Sequence, residues 1–141
     1  MFYGNSDYAE AVLRALRGAT TEILFAIFRF PTYENRHSSP SEDIFFELVA
    51  AQKRGVKVRV LSNFEGFRLR CANNGLDAKR VPASRLLHAK AFIIDGKILL
   101  VGSHNFSKSA FSRNYEGSVA TEEFGAIAGA TEWFNQIWDN I

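Results

Sequence analysis

The chain has 141 residues, 47% hydrophobic and 23% charged, with 13 Phe, 3 Pro and a net charge of +2. That length suits one domain with its own core, and the composition excludes a disordered chain. The single Cys71 excludes an internal disulfide, no apolar run approaches the roughly 20 residues of a membrane helix, and the opening MFYGNSDYAE lacks the pattern of a secretion leader, so a cytoplasmic protein is expected.

In chain order, Tyr8, Val12, Leu13 and Leu16 recur at helical spacing between a possible cap at Ser6 and a stop at Gly18. EILFAIFRF (22–30) reads as a buried strand closed by Pro31, and PTYENRHSSP (31–40) as a polar loop. Ser39-Pro40-Ser41-Glu42 combines a capping box with proline at the first helical position, and Ile44, Phe45, Leu48 and Val49 continue that helix toward Gly55. VKVRVL (56–61) alternates as a strand, NFEGFRLRCANNG (63–75) reads as a loop with a helical turn at most, and AKRV (78–81) as a short strand. At the far end Thr121 is placed to cap a helix with Phe124, Ile127, Thr131, Phe134 and Trp138 on one stripe, aromatics expected in the core. Helices alternating with strands argue for helices packed on a mostly parallel or mixed sheet, and no internal repeat is present.

Charge is uneven. From Lys53 to Lys90 there are ten basic and two acidic residues, a net +8, which leaves −6 for the rest. A solvated surface and a polyanionic partner explain this equally well. The segment leads into LLHAKAFIIDGKILLVGSHNFS (86–107), two apolar runs around Asp95-Gly96-Lys97. Asp-Gly favours a two-residue hairpin loop because both residues tolerate positive φ. With Asp95-Gly96 as the loop, His88 lies opposite Ser103; with Gly96-Lys97, His88 faces Asn105 and Lys90 faces Ser103. Either register puts all four on one face and His104 on the other, whereas an odd loop breaks the arrangement.

Imidazole is a nucleophile and proton carrier, and the ammonium, hydroxyl and amide donate hydrogen bonds. The set suits a phosphodiester: His88 attacks phosphorus, Lys90 and Asn105 hold the non-bridging oxygens, and Ser103 orients either. One imidazole beside an ammonium is a poor metal site, so neither metal nor cofactor is expected. A half-exposed polar hairpin face explains any one of these residues alone, but four sharing a face favour the chemical reading.

The pattern His88-x-Lys90, four residues, Asp95, six residues, Gly102-Ser103-x-Asn105 resembles the signature of the phospholipase D superfamily. NYEGSVA (114–120) resembles that family's Asn-x-Glu strand, AQKRGVKVRVL (51–61) its helix-to-strand segment, and WFNQIWD (133–139) its terminal helix. The resemblance implies an α/β three-layer sandwich, a mixed β-sheet flanked by helices, with residues 1–141 as one catalytic domain. It also implies that Glu116 hydrogen-bonds and orients a nucleophilic His88, that a covalent phosphohistidine forms without metal, and that Asp95 at the turn is structural. His104 and the length of the 31–40 loop depart from the family pattern.

A phosphohistidine mechanism needs a second group to protonate the leaving oxygen, and in the family that is the histidine of a second motif copy. This chain has one copy, and His37 and His104 lack a lysine at the right spacing. A homodimer pairing His88 with its mate is therefore expected, as in the small metal-independent endonucleases of the superfamily. The motif reads only the phosphodiester. The basic segment favours DNA or RNA, with bases stacking on residues such as Tyr33 or Phe67. Thirteen Phe and an apolar rim at NFEGF favour a phospholipase D-type lipid phosphodiesterase or transphosphatidylase, with membrane lipid as partner. A non-catalytic nucleic-acid-binding module is the third reading.

Overall fold

A computed structural model describes residues 1–30 and 39–141. Seven strands form one sheet in the order β1-β7-β6-β5-β2-β3-β4. In the sheet β2 (Glu22–Ile27), β3 (Lys57–Ser62) and β4 (Asp77–Arg80) run parallel. The others, β5 (Lys90–Ile94), β6 (Ile98–Gly102), β7 (Gly117–Thr121) and β1 (Phe2–Gly4), pair antiparallel in succession from β2 outward. The sheet is mixed and lies between two helical layers, as the alternation of helix and strand patterns predicts.

One face is covered by α1 (Asp7–Gly18), α2 (Pro40–Lys53) and α3 (Glu65–Asn73), whose apolar sides meet Ile23, Phe25, Ile27, Val58, Val60, Phe92 and Ile94. A short α4 (Lys108–Ser112) adds Phe111 to this layer. The opposite face is covered by α5 (Phe124–Asp139), which sets Ile127, Phe134 and Trp138 on Leu24, Ala26, Ala91, Ile93 and Leu99. Alternation along β2 explains both: odd positions 23, 25 and 27 face one layer, even positions 24 and 26 the other.

Several boundaries differ from the expected ones. The Ser39 hydroxyl caps α2 by accepting from the Glu42 N–H at 3.3 Å, but Glu42 does not reach back, because its carboxylate is bound by Arg70. Ser6 stands at the start of α1 without a side-chain capping bond. Thr121 ends β7 instead of capping α5; Glu123 does that, accepting from Gly125 and Ala126, and Phe124 is exposed. The segment expected as a loop holds α3, whose only buried residues are Phe67 and Cys71.

The hairpin turn carries the main correction. Asp95 and Gly96 both have positive φ, 54° and 61°, and Lys97 N–H donates to Ile94 C=O at 2.9 Å, as the Asp-Gly pair demands. The ladder nevertheless pairs Ile94 with Ile98 and Ala91 with Val101, so three residues link the strands. With that odd link, His88, Lys90, Ser103 and Asn105 cannot share a sheet face by alternation. The extra residue frees Asp95 to act as a clasp: its carboxylate accepts from the backbone N–H groups of Thr20, Thr21 and Glu22 and from both threonine hydroxyls, at 2.8–3.2 Å. Burial alone would raise this carboxyl's pKa, and those bonds outweigh it, holding it well below the usual carboxylate range.

Candidate active site

The candidate residues gather at the opposite end of the hairpin, just beyond the ladder, where strand alternation no longer governs direction. Lys90 is the first residue of β5, His88 precedes it, Ser103 and Asn105 follow β6, and Glu116 precedes β7. A larger cleft of about 680 Å³ lies at the Asp95 end and contains none of these groups.

His88 is exposed, its ring tilted against Phe28 with centroids 4.8 Å apart. The loop that delivers it is held by Asn63, a buried residue just past β3. Asn63 Nδ2 donates to the carbonyls of Val81 and Arg85, both at 3.1 Å, and its Oδ1 accepts from Leu87 N–H at 2.6 Å. Lys90 is 7% exposed. Its Nζ donates to the His88 carbonyl at 2.8 Å and stands 3.3 and 3.4 Å from the two ring nitrogens. Burial pulls the ammonium pKa below the ordinary lysine value, against an opposing pull from the Glu116 carboxylate.

Asn105 Oδ1 accepts from the Arg29 N–H at 3.3 Å, and Phe106 N–H donates to the Arg29 carbonyl, tying the end of β6 to the end of β2. With its oxygen occupied, the amide presents its NH₂ donors, the end an anion needs. Ser103 donates to Glu116 Oε2 and accepts from Gly117 N–H at 3.1 Å, while Asn114 Nδ2 binds Glu116 Oε1 at 3.0 Å. Within one chain, among the described residues, Glu116 bonds Ser103 and Asn114 and makes no hydrogen bond to His88. The close strand approach here explains Gly102: a Cβ would lie 2.1 Å from Ser118 Oγ and 2.5 Å from the Gly117 carbonyl.

His104 points into the layer that holds α1 and is fully buried. Its ring stacks on Tyr8 at 4.6 Å, Nδ1 meets Ser118 Oγ at 2.7 Å, and Nε2 meets the Asn5 carbonyl at 2.7 Å. A carbonyl only accepts, so Nε2 carries the proton and Nδ1 accepts from the serine. Tyr33 and His37 lie outside the described residues.

Two expectations about binding are corrected. Phe67 is wholly buried and offers no base-stacking surface. The basic segment is largely consumed internally: Arg59 pairs with Glu22, Arg68 with Glu65 and Arg70 with Glu42, while Lys79 sits over Trp138 and Arg80 donates to the Asn63 carbonyl. The exposed cations near the site are Arg29, Arg85 and Arg113, whose side chains make no ion pair or hydrogen bond among the described residues. Sequence reasoning missed Phe28, Arg29 and Asn63. The only signal for Asn63 is a polar residue directly after a buried strand.

Residues 12–138 match the family model described as "Cardiolipin synthase, PLD-like domain". The chain belongs to this family, within the phospholipase D superfamily. It is 29% identical over 136 residues to the mitochondrial cardiolipin hydrolase of Mus musculus, covering 92% of this chain and 58% of that protein. It is 36% identical over 84 residues to a phospholipase D of Rickettsia conorii, covering 54% of this chain and 41% of that one. The chain thus spans about half the length of the curated relatives it matches. The crystal structure of a phospholipase D family member, Nuc from Salmonella typhimurium, superposes with a TM-score of 0.78 at 26% identity, covering 99% of this chain and 94% of that chain. NucT from Helicobacter pylori, at 21% identity and TM-score 0.75, shares the fold.

Proposed function

We propose that the chain is a metal-independent phosphodiesterase cleaving DNA or RNA, with His88 as nucleophile in a homodimeric site. The observation that carries this is the His88–Lys90 pair: an exposed imidazole with a buried ammonium held within 3.4 Å of its ring. An imidazole nitrogen attacks phosphorus, forming a P–N bond as the P–O bond to the leaving oxygen breaks. Lys90 Nζ and the Asn105 NH₂ face the non-bridging oxygens, whose charge rises in the transition state. A second imidazole protonates the leaving oxygen, and water then breaks the P–N bond.

The second imidazole is the partner's in this reading. His104 is buried and bonded at both nitrogens, so within the described residues His88 has no mate. Support for a second copy comes from the sheet: α5 packs on β2, β5 and β6, and farther along that face Val101, Val119 and Phe2, paired across three strands, stay exposed beside Ser103 and Gly117. Bare apolar surface bordering an incomplete site suits self-association.

The nucleic-acid substrate is supported by the exposed arginines 29, 85 and 113 and by the near-complete mutual overlap with Nuc. A lipid phosphodiester is the second reading, favoured by the names of the curated relatives and by Phe28, which lies against His88 and has its ring centroid 5.8 Å from that of Phe64. Purified protein with excess chelator is assayed on single- and double-stranded DNA, RNA, and phosphatidylcholine and cardiolipin vesicles. Turnover of nucleic acid under chelation is expected. Loss with EDTA and rescue by magnesium or zinc refutes the mechanism, and turnover of vesicles alone selects the lipid reading.

A further inference from the structure

We propose that the cleft beside His88, walled by Arg85, Leu86 and Trp133, seats the nucleotide flanking the scissile phosphate, a subsite that rests on the nuclease reading above. The cleft measures about 530 Å³, within the range of small-ligand sites, and lies between the loop leading to His88 and the outer side of α5. Trp133 is 37% exposed, although Phe134 and Trp138 on the same helix are buried, and its ring has no aromatic or cationic partner among the described residues. Leu86 is 60% exposed on the facing wall.

The polar groups decide the occupant. Arg85 is exposed and unpaired among the described residues, unlike Arg59, Arg68 and Arg70. Gln136 and Asn140 line the same cleft, each with one N–H of its amide bonded back along α5, to Glu132 and to the Gln136 carbonyl. Their side-chain carbonyl oxygens remain as acceptors for exocyclic amines. The walls are mixed, with Leu86 and Ile137 beside Ser84, Arg85, Gln136 and Asn140, and an indole face, a guanidinium and amide acceptors match a base with its phosphate. The cleft is also built in advance, because Asn63 fixes the loop carrying Arg85 and Leu86 from beneath.

The test uses the whole chain carrying His88→Ala, so that substrate stays intact, and compares a single-stranded oligonucleotide with a backbone of equal length that is abasic throughout. Trp133→Ala is expected to weaken the intact oligonucleotide about 5- to 100-fold, as for loss of one stacked base, and to leave the abasic strand within twofold. Trp133→Phe is expected to retain most of the binding. Arg85→Ala is expected to weaken both strands and lower the salt slope by about one. Equal losses on both strands, or none, overturn the proposal. So does cardiolipin-vesicle binding that depends on Trp133 while oligonucleotide binding does not, which places an acyl chain in the cleft. The parent reading fails separately, when wild-type protein binds the oligonucleotide through Trp133 and cleaves no nucleic acid.

Discussion

Lys90 holds its ammonium against the His88 ring, yet almost none of the residue reaches solvent. That burial lowers its pKa, so the charged form is lost at a pH below the ordinary lysine value near 10.4. If the ammonium neutralises the transition state, activity falls on the alkaline side as Lys90 deprotonates. A pH–rate profile checks this: the wild-type limb is expected below that value, and Lys90→Arg is expected to push it upward while reducing turnover. An unmoved limb assigns it to another group. His88→Ala is expected to reduce turnover to background, and Lys90→Ala or Asn105→Ala to lower it by about 10² to 10³, on the scale of an oxyanion donor. Circular dichroism of the three variants should match wild type, since none of these side chains belongs to the apolar core.

Asp95 illustrates how a turn residue organises distant elements. Its carboxylate satisfies three backbone N–H groups at the entry to β2, more than seventy residues away. Asp95→Ala is expected to cost about 1–3 kcal/mol, as for a lost set of charge-assisted bonds, read as a lower urea midpoint with the slope unchanged. The folded pKa is depressed, so this stabilisation is complete above the unfolded value near 3.9 and disappears as pH falls through the folded one. Asp95→Asn is expected to flatten that acid-side loss; a variant with the wild-type acid profile refutes the assignment. The Asp-Gly turn was legible in the sequence because its backbone preference is local. The three-residue link was not, because the register depends on the pairing of Ile94 with Ile98 and on a carboxylate engaged by β2. Similarly, α2 announced itself through Ser39-Pro40 and a full apolar side, whereas α3 shows only Phe67 and Cys71 to the core. The candidates His88, Lys90, Ser103 and Asn105 are legible as a spaced motif, and Glu116 only through the family resemblance. Their positions follow from Asn63, Phe28 and Arg29, whose contacts come from elsewhere in the chain, and the pairing of the basic residues was hidden for the same reason.

Across the whole molecule, sharing of His88 between two copies has an arithmetic signature. When wild-type and His88→Ala chains are co-refolded in equal amounts, random pairing is expected to leave roughly a quarter of the activity if both imidazoles are required, against roughly half for independent sites. Light scattering tests for the expected dimer, and a linear dependence on wild-type fraction, or an active monomer, refutes shared use. The buried His104 carries a different whole-chain consequence. Its Nε2–H holds the Asn5 carbonyl, while the Asn5 N–H and side chain grip the backbone of Glu116, so one imidazole latches the first strand to the segment bearing the site's carboxylate. Burial lowers its pKa despite the Asn5 bond and the Glu116 charge: a proton added at Nδ1 ends the bond accepted from Ser118 and leaves a charge in a buried site, so the stabilisation given by the neutral imidazole is complete above the unfolded value near 6.5 and lost as pH falls through the folded one. Mild acid should therefore open the molecule first along this seam. After correction for intrinsic rates, amide exchange at β1 and at Glu116 is expected to quicken below that pH before the β2–β3 core responds, and His104→Gln is expected to remove the dependence. An unlatched Glu116 is also a displaced one, so a brief acid exposure should silence the protein reversibly while most of the sheet stays folded.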